Sequence, residues 1–262
     1  MQGRIVLLYG SERGKKLCDI ASYILTQVAV AFGHPLSAPI RRCGRETEAE
    51  DALLDLCDGA DGILAGESNI ACLPALAQEM GCGIRARELR YTHLIENRSL
   101  MGENKPLNAV LVQALDNSEE ALQGAAGMAY KLSGHDTLPI AQVPPAGKLA
   151  DSWSAAVKHA DSRSAMFHAM ELALPRVIPE IVRQPAGVGV ILCPPYAGSI
   201  LTEACAALCG APGMCYDEYA GGDKSIFAAL SQENDEVNPF GMLRAVHSLS
   251  GPRSKLCTAR SI

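Results

Sequence analysis

Two hydrophobic periods alternate along this chain, one near two residues and one near 3.6. Residues 4–9 form an apolar, β-rich run and predict a strand. Ser11 then caps a helix whose apolar residues recur at Leu17, Ile20, Ala21, Ile24, Leu25 and Val28, and Gly33 stops it. Residues 36–40 predict a short second strand. Thr47 with Glu50 three positions later makes a capping box ahead of Leu53, Leu54 and Leu56. Residues 61–65 predict a third strand, and 73–80 a short helix closed by Gly81. The section 106–115 centres on Val110-Leu111-Val112 and reads as a buried strand. Ser118 with Glu119 and Glu120 opens a helix that runs to Leu132 and stops near Gly134.

The same alternation continues to the end. Residues 138–143 predict a strand ended by Pro144-Pro145, and helix signals follow over 148–159. Pro175 stands at the first position of a helix over 175–182. Residues 188–193 are a continuous apolar strand, and 199–209 an amphipathic helix with Gly210 just past its end. Residues 223–230 and 240–249 predict the last two helices, and the basic tail 253–262 a frayed end. Short strands alternating with helices predict a layered α/β fold, with a largely parallel sheet and helices on both faces.

Composition narrows the classes. The 262 residues suffice for one large domain or two modest ones. Hydrophobic residues at 48% and charged residues at 20% exclude wholesale disorder. Aromatics make up only 5%, so the core is aliphatic and alanine-rich, which speaks against base stacking. A net charge of −6 opposes a polyanion, and no nucleic-acid partner is expected. The longest mostly apolar stretch, 20–32, contains Ser22, Thr26 and Gln27, so neither a membrane span nor a membrane partner is expected. The ten cysteines contain no C-x-x-C pair and sit mostly in apolar periodic segments. Free buried thiols in a reducing, cytoplasmic compartment are the expectation.

Candidate chemistry is sparse. Gly10-Ser-Glu-Arg-Gly14-Lys15-Lys16 follows a strand and opens a helix, but its spacing matches neither the phosphate-binding loop nor the dinucleotide fingerprint. It reads as an ordinary strand-to-helix turn. Ala220-Gly221-Gly222-Asp223-Lys224-Ser225 precedes a predicted helix, where backbone N–H groups and Lys224 would hold an anion or Asp223 would cap the helix. The six histidines form no metal motif, and the adjacent acidic pairs, Asp217/Glu218 among them, read as solvated turns and helix starts. Arg85, Arg87 and Arg90, with Arg98 beyond, fit either a small dicarboxylate site or a solvated helix face paired with Glu88.

A resemblance adds to this reading. The stretch 188–213, VGVILCPPYAGSILTEACAALCGAPG, resembles the signature F-D-V-I-x-x-x-N-x-x-G-D-I-L-S-D-E-A-x-x-L-x-G-x-x-G of the β-decarboxylating dehydrogenases, the isocitrate and isopropylmalate dehydrogenases. Asp61-Gly-Ile-Leu-Ala-Gly66, Tyr91-Thr-His-Leu94 and Val237-Asn-Pro-Phe240 are similar to further segments of that family, in the family's order. The resemblance spans most of a chain shorter than the family norm. It implies the isocitrate/isopropylmalate dehydrogenase-like fold with two subdomains. The first would comprise 1–87 with 203–262, and the second, 88–202, would be inserted between them and carry dimer-forming helices.

The family's polar site maps poorly. Its metal aspartates fall on Ser199 and Glu203, weak ligands as a set, and the aspartate supplied by a partner subunit falls on Pro175. A hard cation wants several anionic oxygens. The catalytic lysine falls on Pro145, so no catalytic residue is carried over. The substrate arginines fall on Arg85, Ile95 and Gln113. The adenine loop is met only by Ala220–Ile226, leaving Gly221, Gly222, Asp223 and Asn238 as cofactor candidates. Arg85, Gln113 and Lys224 remain candidates for a small anionic ligand. The resemblance thus implies a degenerate homologue: a cytoplasmic homodimer with a binding, regulatory or structural role and no cofactor. The alternative is a divergent oxidoreductase using NAD(P) and Mg²⁺ or Mn²⁺ on a 2-hydroxy-dicarboxylate such as 3-isopropylmalate, with His93 as base.

Overall fold

The computed structural model describes residues 3–44, 46, 49–90, 100, 107–164, 168–210, 212–221, 224–230 and 238–250. In chain order the described elements begin with β1 (Gly3–Tyr9), α1 (Glu12–Ala31), β2 (Leu36–Ser37), β3 (Ile40–Arg42), α2 (Asp51–Asp58), β4 (Gly62–Ala65) and α3 (Leu73–Glu79). Then come β5 (Ile84–Arg90), β6 (Asn108–Ala114), α4 (Glu119–Asp136), β7 (Ile140–Gln142), α5 (Ala150–Ser162), β8 (Met170–Glu171) and α6 (Leu174–Arg183). The last are β9 (Val190–Cys193), α7 (Pro195–Cys209), β10 (Tyr216–Ala220), β11 (Ile226–Ala229) and α8 (Phe240–Ser250). They gather into two compact units, Met1–Cys82 with Gly213–Ile262, and Gly83–Pro212. The units divide between α3 and β5 and again between α7 and β10.

In the first unit β1 is central. It pairs in parallel with β2, β3 and β4, and β4 pairs in parallel with β11. The expected single strand at 36–40 is two pieces either side of Ala38-Pro39, because proline cannot donate to the ladder. Ser11 caps α1 as expected, its Oγ accepting from Gly14 N at 3.1 Å. Glu50, not Thr47, precedes α2, and it makes no side-chain cap bond; Thr47 lies outside the described residues. α1 and α8 cover one face through Leu7, Leu17, Leu64, Phe227 and Met242.

The helix expected at 223–230 is a correction. Ile226–Ala229 is strand β11, antiparallel to β10 with Tyr219 opposite Ile226. All four residues of β11 are buried, and a short apolar run suits a covered strand as well as a helix. Asp217 likewise lies in β10 and is buried rather than in a solvated turn.

In the second unit β5 and β6 are antiparallel, β6 and β9 parallel, and β9 continues in parallel to β7 and then β8. One face carries Ile84, Ala86, Val110 and Val112 against Leu122, Ala126, Trp153 and Val157 of α4 and α5. Side chains alternate across a strand, so Arg85, Arg87 and Gln113 face the opposite side, where α7 lies. Pro195 starts α7, and Gly210 ends it at φ +75, a conformation that favours glycine. α4 runs through Gly134 to Asp136. Most ladders are parallel, so the architecture agrees with the α/β expectation.

Candidate functional site

The arginine segment is strand, not helix, and its register builds a polar seat. Arg85 stands opposite Gln113 in the β5–β6 ladder. Arg87, two residues on, is displaced by roughly 6.7 Å along the strand, close to the roughly 6 Å rise between Ser199 and Glu203 four residues apart on α7. The strand pair and the helix therefore meet at both levels.

At the first level Arg85 Nη2 donates to Gln113 Oε1 at 2.7 Å. Gln113 Nε2 donates to the Pro195 carbonyl at 2.7 Å and to Ser199 Oγ at 3.0 Å. Ser199 Oγ also donates to the Pro195 carbonyl at 3.1 Å. Gln113 is buried. A Cβ on Gly198 would meet Gln113 Cγ at 2.5 Å, so glycine at this position lets the amide lie against the helix. At the second level Arg87 Nη1 donates to Glu203 Oε1 at 2.8 Å, with the Arg87 side chain 2% exposed and that of Glu203 65%. Arg85 Nε is buried and has no hydrogen-bond partner among the described residues.

This donor set does not fit a divalent metal. Ser199 is engaged by a neutral amide, Glu203 by a guanidinium, and Pro175, on α6, offers no side-chain oxygen. A hard cation needs several free anionic oxygens, and the cation Arg87 occupies that place. Among the described residues no group of three or more His, Cys, Asp and Glu could hold a metal ion.

The other candidates are engaged elsewhere. Lys224 lies at the C-terminus of α2, bonded to the Asp58 carbonyl, to Asp58 Oδ1 at 3.0 Å and to the Cys57 carbonyl at 3.4 Å. A cation there complements the helix dipole. Gly221 follows β10 and the next described element is strand β11 rather than a helix, while Gly222 and Asp223 lie outside the described residues. Asn238 Oδ1 accepts from Phe240 N at 3.0 Å, a cap for α8. Pro145 lies between β7 and α5. Tyr91, His93, Ile95, Arg98 and Val237 lie outside the described residues.

One seat had no local signal. Glu67, buried after β4, fills the turn between β1 and α1. Its Oε1 accepts from Gly10 N at 2.8 Å and Ser11 N at 2.6 Å, and its Oε2 from Ser11 Oγ at 2.7 Å. A Cβ on Gly14 would meet Oε1 at 2.5 Å. The helix N-terminus that would attract an anion already holds one of the chain's own.

Burial dominates the thiols. It pushes Cys18 and Cys205 up to about 12 and Cys57 to about 11. None of the nine described cysteines is joined in a disulfide. Beside α4 and α5, Tyr130 donates to Asp161 Oδ1 at 2.7 Å and His168 Nδ1 lies 3.0 Å from Oδ2. The Tyr130 bond, then that of His168, holds Asp161 below the usual carboxylate value.

This arrangement is the isocitrate/isopropylmalate dehydrogenase-like fold. The chain is similar to an isocitrate dehydrogenase from Methylococcus capsulatus, with a TM-score of 0.78 and 15% identity over 95% of this chain and 86% of that one. A β-decarboxylating dehydrogenase from Thermococcus kodakarensis in its apo form gives 0.69 and 15%, over 95% and 82%. A protein of Thermus thermophilus gives 0.78 and 13% over 99% of this chain, which spans only 59% of that longer chain. No protein-family model matches the chain, and a search of curated proteins found no match. At these identities the likeness establishes the fold. Among the described residues no helix is long and apolar enough to cross a membrane.

Proposed function

We propose that this chain is a homologue of the isocitrate and isopropylmalate dehydrogenases that has lost metal-dependent oxidative decarboxylation and serves a binding, regulatory or structural role. The observation that carries this reading is Gln113. Its amide spans Arg85, Ser199 and the first turn of α7, and so fills the place where the resemblance would put substrate and metal. Pro145 supplies no titratable group where the resembling family has its lysine. Oxidising a 2-hydroxy acid needs a group to stabilise the developing alkoxide and a base to take its proton, and each such loss costs on the order of 10²–10³ in rate. The purified chain, mixed with NAD or NADP, malate, isocitrate, isopropylmalate or tartrate, and Mg²⁺ or Mn²⁺, is expected to give no turnover. A rate above about 1 s⁻¹ overturns the reading.

One observation favours the divergent NAD(P)-dependent oxidoreductase. The buried, unpartnered Arg85 Nε is the kind of donor that a ligand carboxylate satisfies. On that reading a 2-hydroxy-dicarboxylate binds at Arg85, and turnover vanishes in Glu203→Ala.

The assembly belongs to the same proposal. Leu201 and Cys205 are buried within their own unit, but Tyr196 and Ile200 of α7 and Val182 of α6 stay exposed at 77%, 48% and 42%. This apolar surface supports a homodimer packed through these helices. Sedimentation at micromolar concentration should give twice the 27.7 kDa chain mass; a single chain mass counts against it.

A further inference from the structure

The cysteines are not equivalent. Cys18, Cys57, Cys82, Cys193, Cys205 and Cys215 have no exposed surface, and Cys209 has 1%. Cys43 and Cys72 keep 4% and 3%. These two line one small surface pocket, together with Arg41, Arg42 and Glu50. Cys43 follows β3, and Cys72 stands immediately before α3. Cys72, and after it Cys57, lie close enough to act on the Cys43 thiol. The pocket's free volume of about 10 Å³ is near the room taken by one water-sized molecule.

We propose that Cys43 and Cys72 form a dithiol that a hydroperoxide oxidises to an intrachain disulfide. In the first step a Cys sulfur attacks the terminal peroxide oxygen and the O–O bond breaks. With hydrogen peroxide the products are a sulfenic acid and one water. In the second step the other sulfur attacks the sulfenic sulfur, forming the S–S bond and releasing a second water, its oxygen taken from the sulfenic acid. Two thiols lose two protons and two electrons, and one peroxide takes them up to become two waters.

Geometry sets the order of events. Burial pushes the Cys43 thiol up to about 12, with Arg41 acting the other way, so thiolate is scarce at neutral pH and the first step is slow. The second is intramolecular between two side chains that line the same pocket, and proximity of this kind is worth large effective concentrations. The singly oxidised form therefore does not accumulate. The lining sets Arg41 and Arg42 against Glu46 and Glu50, with Arg41 paired to Glu50 at 3.6 Å, and the small opening favours a small uncharged oxidant over a bulky thiol reagent.

The test uses the full reduced chain. It is treated with hydrogen peroxide at neutral pH, alkylated under denaturant, digested without reduction and mapped by mass spectrometry. The expected product is a peptide pair joining Cys43 to Cys72, two hydrogens lighter than the sum of its parts, as the main intrachain link, reversed by dithiothreitol. In Cys72→Ser the link is lost, and dimedone added together with denaturant after the peroxide traps Cys43 as a sulfenic acid. A different pair as the main link overturns the proposal. So does full alkylation of both residues after peroxide treatment of the unsubstituted chain, a result that does not depend on the variant folding.

Discussion

The two polar seats, one in each unit, are closed in different ways. At the start of α1 a single buried carboxylate, Glu67, answers backbone N–H groups, and glycines at 10 and 14 admit it. Against α7 the closure is made by side chains on side chains: Gln113 on Ser199 and Arg87 on Glu203. The first seat is part of how the chain folds, because its donors would otherwise be unpaired helix-start amides. The second is looser, with Glu203 mostly exposed and one Arg85 nitrogen unpartnered. A glycine beside a polar seat marks a close approach, and that approach can be made by the chain itself.

Substitutions should sharpen this contrast. The largest effect is expected for Gly66→Ala, whose Cβ would collide with the Gly14 carbonyl, a backbone atom that cannot step aside. Chemical denaturation should show a loss of about 3 kcal/mol or more. Glu67→Ala should follow at about 1–3 kcal/mol, since it strands the Gly10 and Ser11 amides. If Glu67→Ala proves neutral, the first seat is not structural. In the second seat Glu203→Ala should cost only about 1 kcal/mol or less, because the carboxylate is exposed and Arg87 keeps further partners.

The smallest effect is pH-dependent. Asp161 has a depressed pKa in the folded state, so its contribution is present above the unfolded carboxylate value of about 3.8. It is lost as pH falls through the lower folded value. Asp161→Asn should therefore melt lower than the unsubstituted chain at pH 7, and the gap should close as pH falls below the unfolded carboxylate value and through the lower folded one. A gap that stays constant with pH would remove Asp161 from the acid response.

Much of the fold was legible in the sequence because its signals are local. Ser11, Ser118 and Gly210 mark helix ends through their own neighbours. β11 was not legible, since four apolar residues carry no period that separates a strand from a helix. β5 misled for another reason. An inward Arg87 breaks the polar-out pattern of a strand, and its partner Glu203 lies 116 residues away. Glu67 was invisible on the same ground, its donors lying 56 and 57 residues earlier. Positions 85, 113, 199 and 203 were singled out through the resemblance. That they bond to one another is a matter of register between β5, β6 and α7.

The most direct test of the closed second seat is a thermal shift series with Mn²⁺, NAD, NADP and isopropylmalate, separately and combined. Binding to the folded state must raise the melting temperature with concentration. The account predicts no shift with Mn²⁺ or with the full mixture up to millimolar concentration. A saturable rise with Mn²⁺ and isopropylmalate that disappears in Glu203→Ala would contradict it.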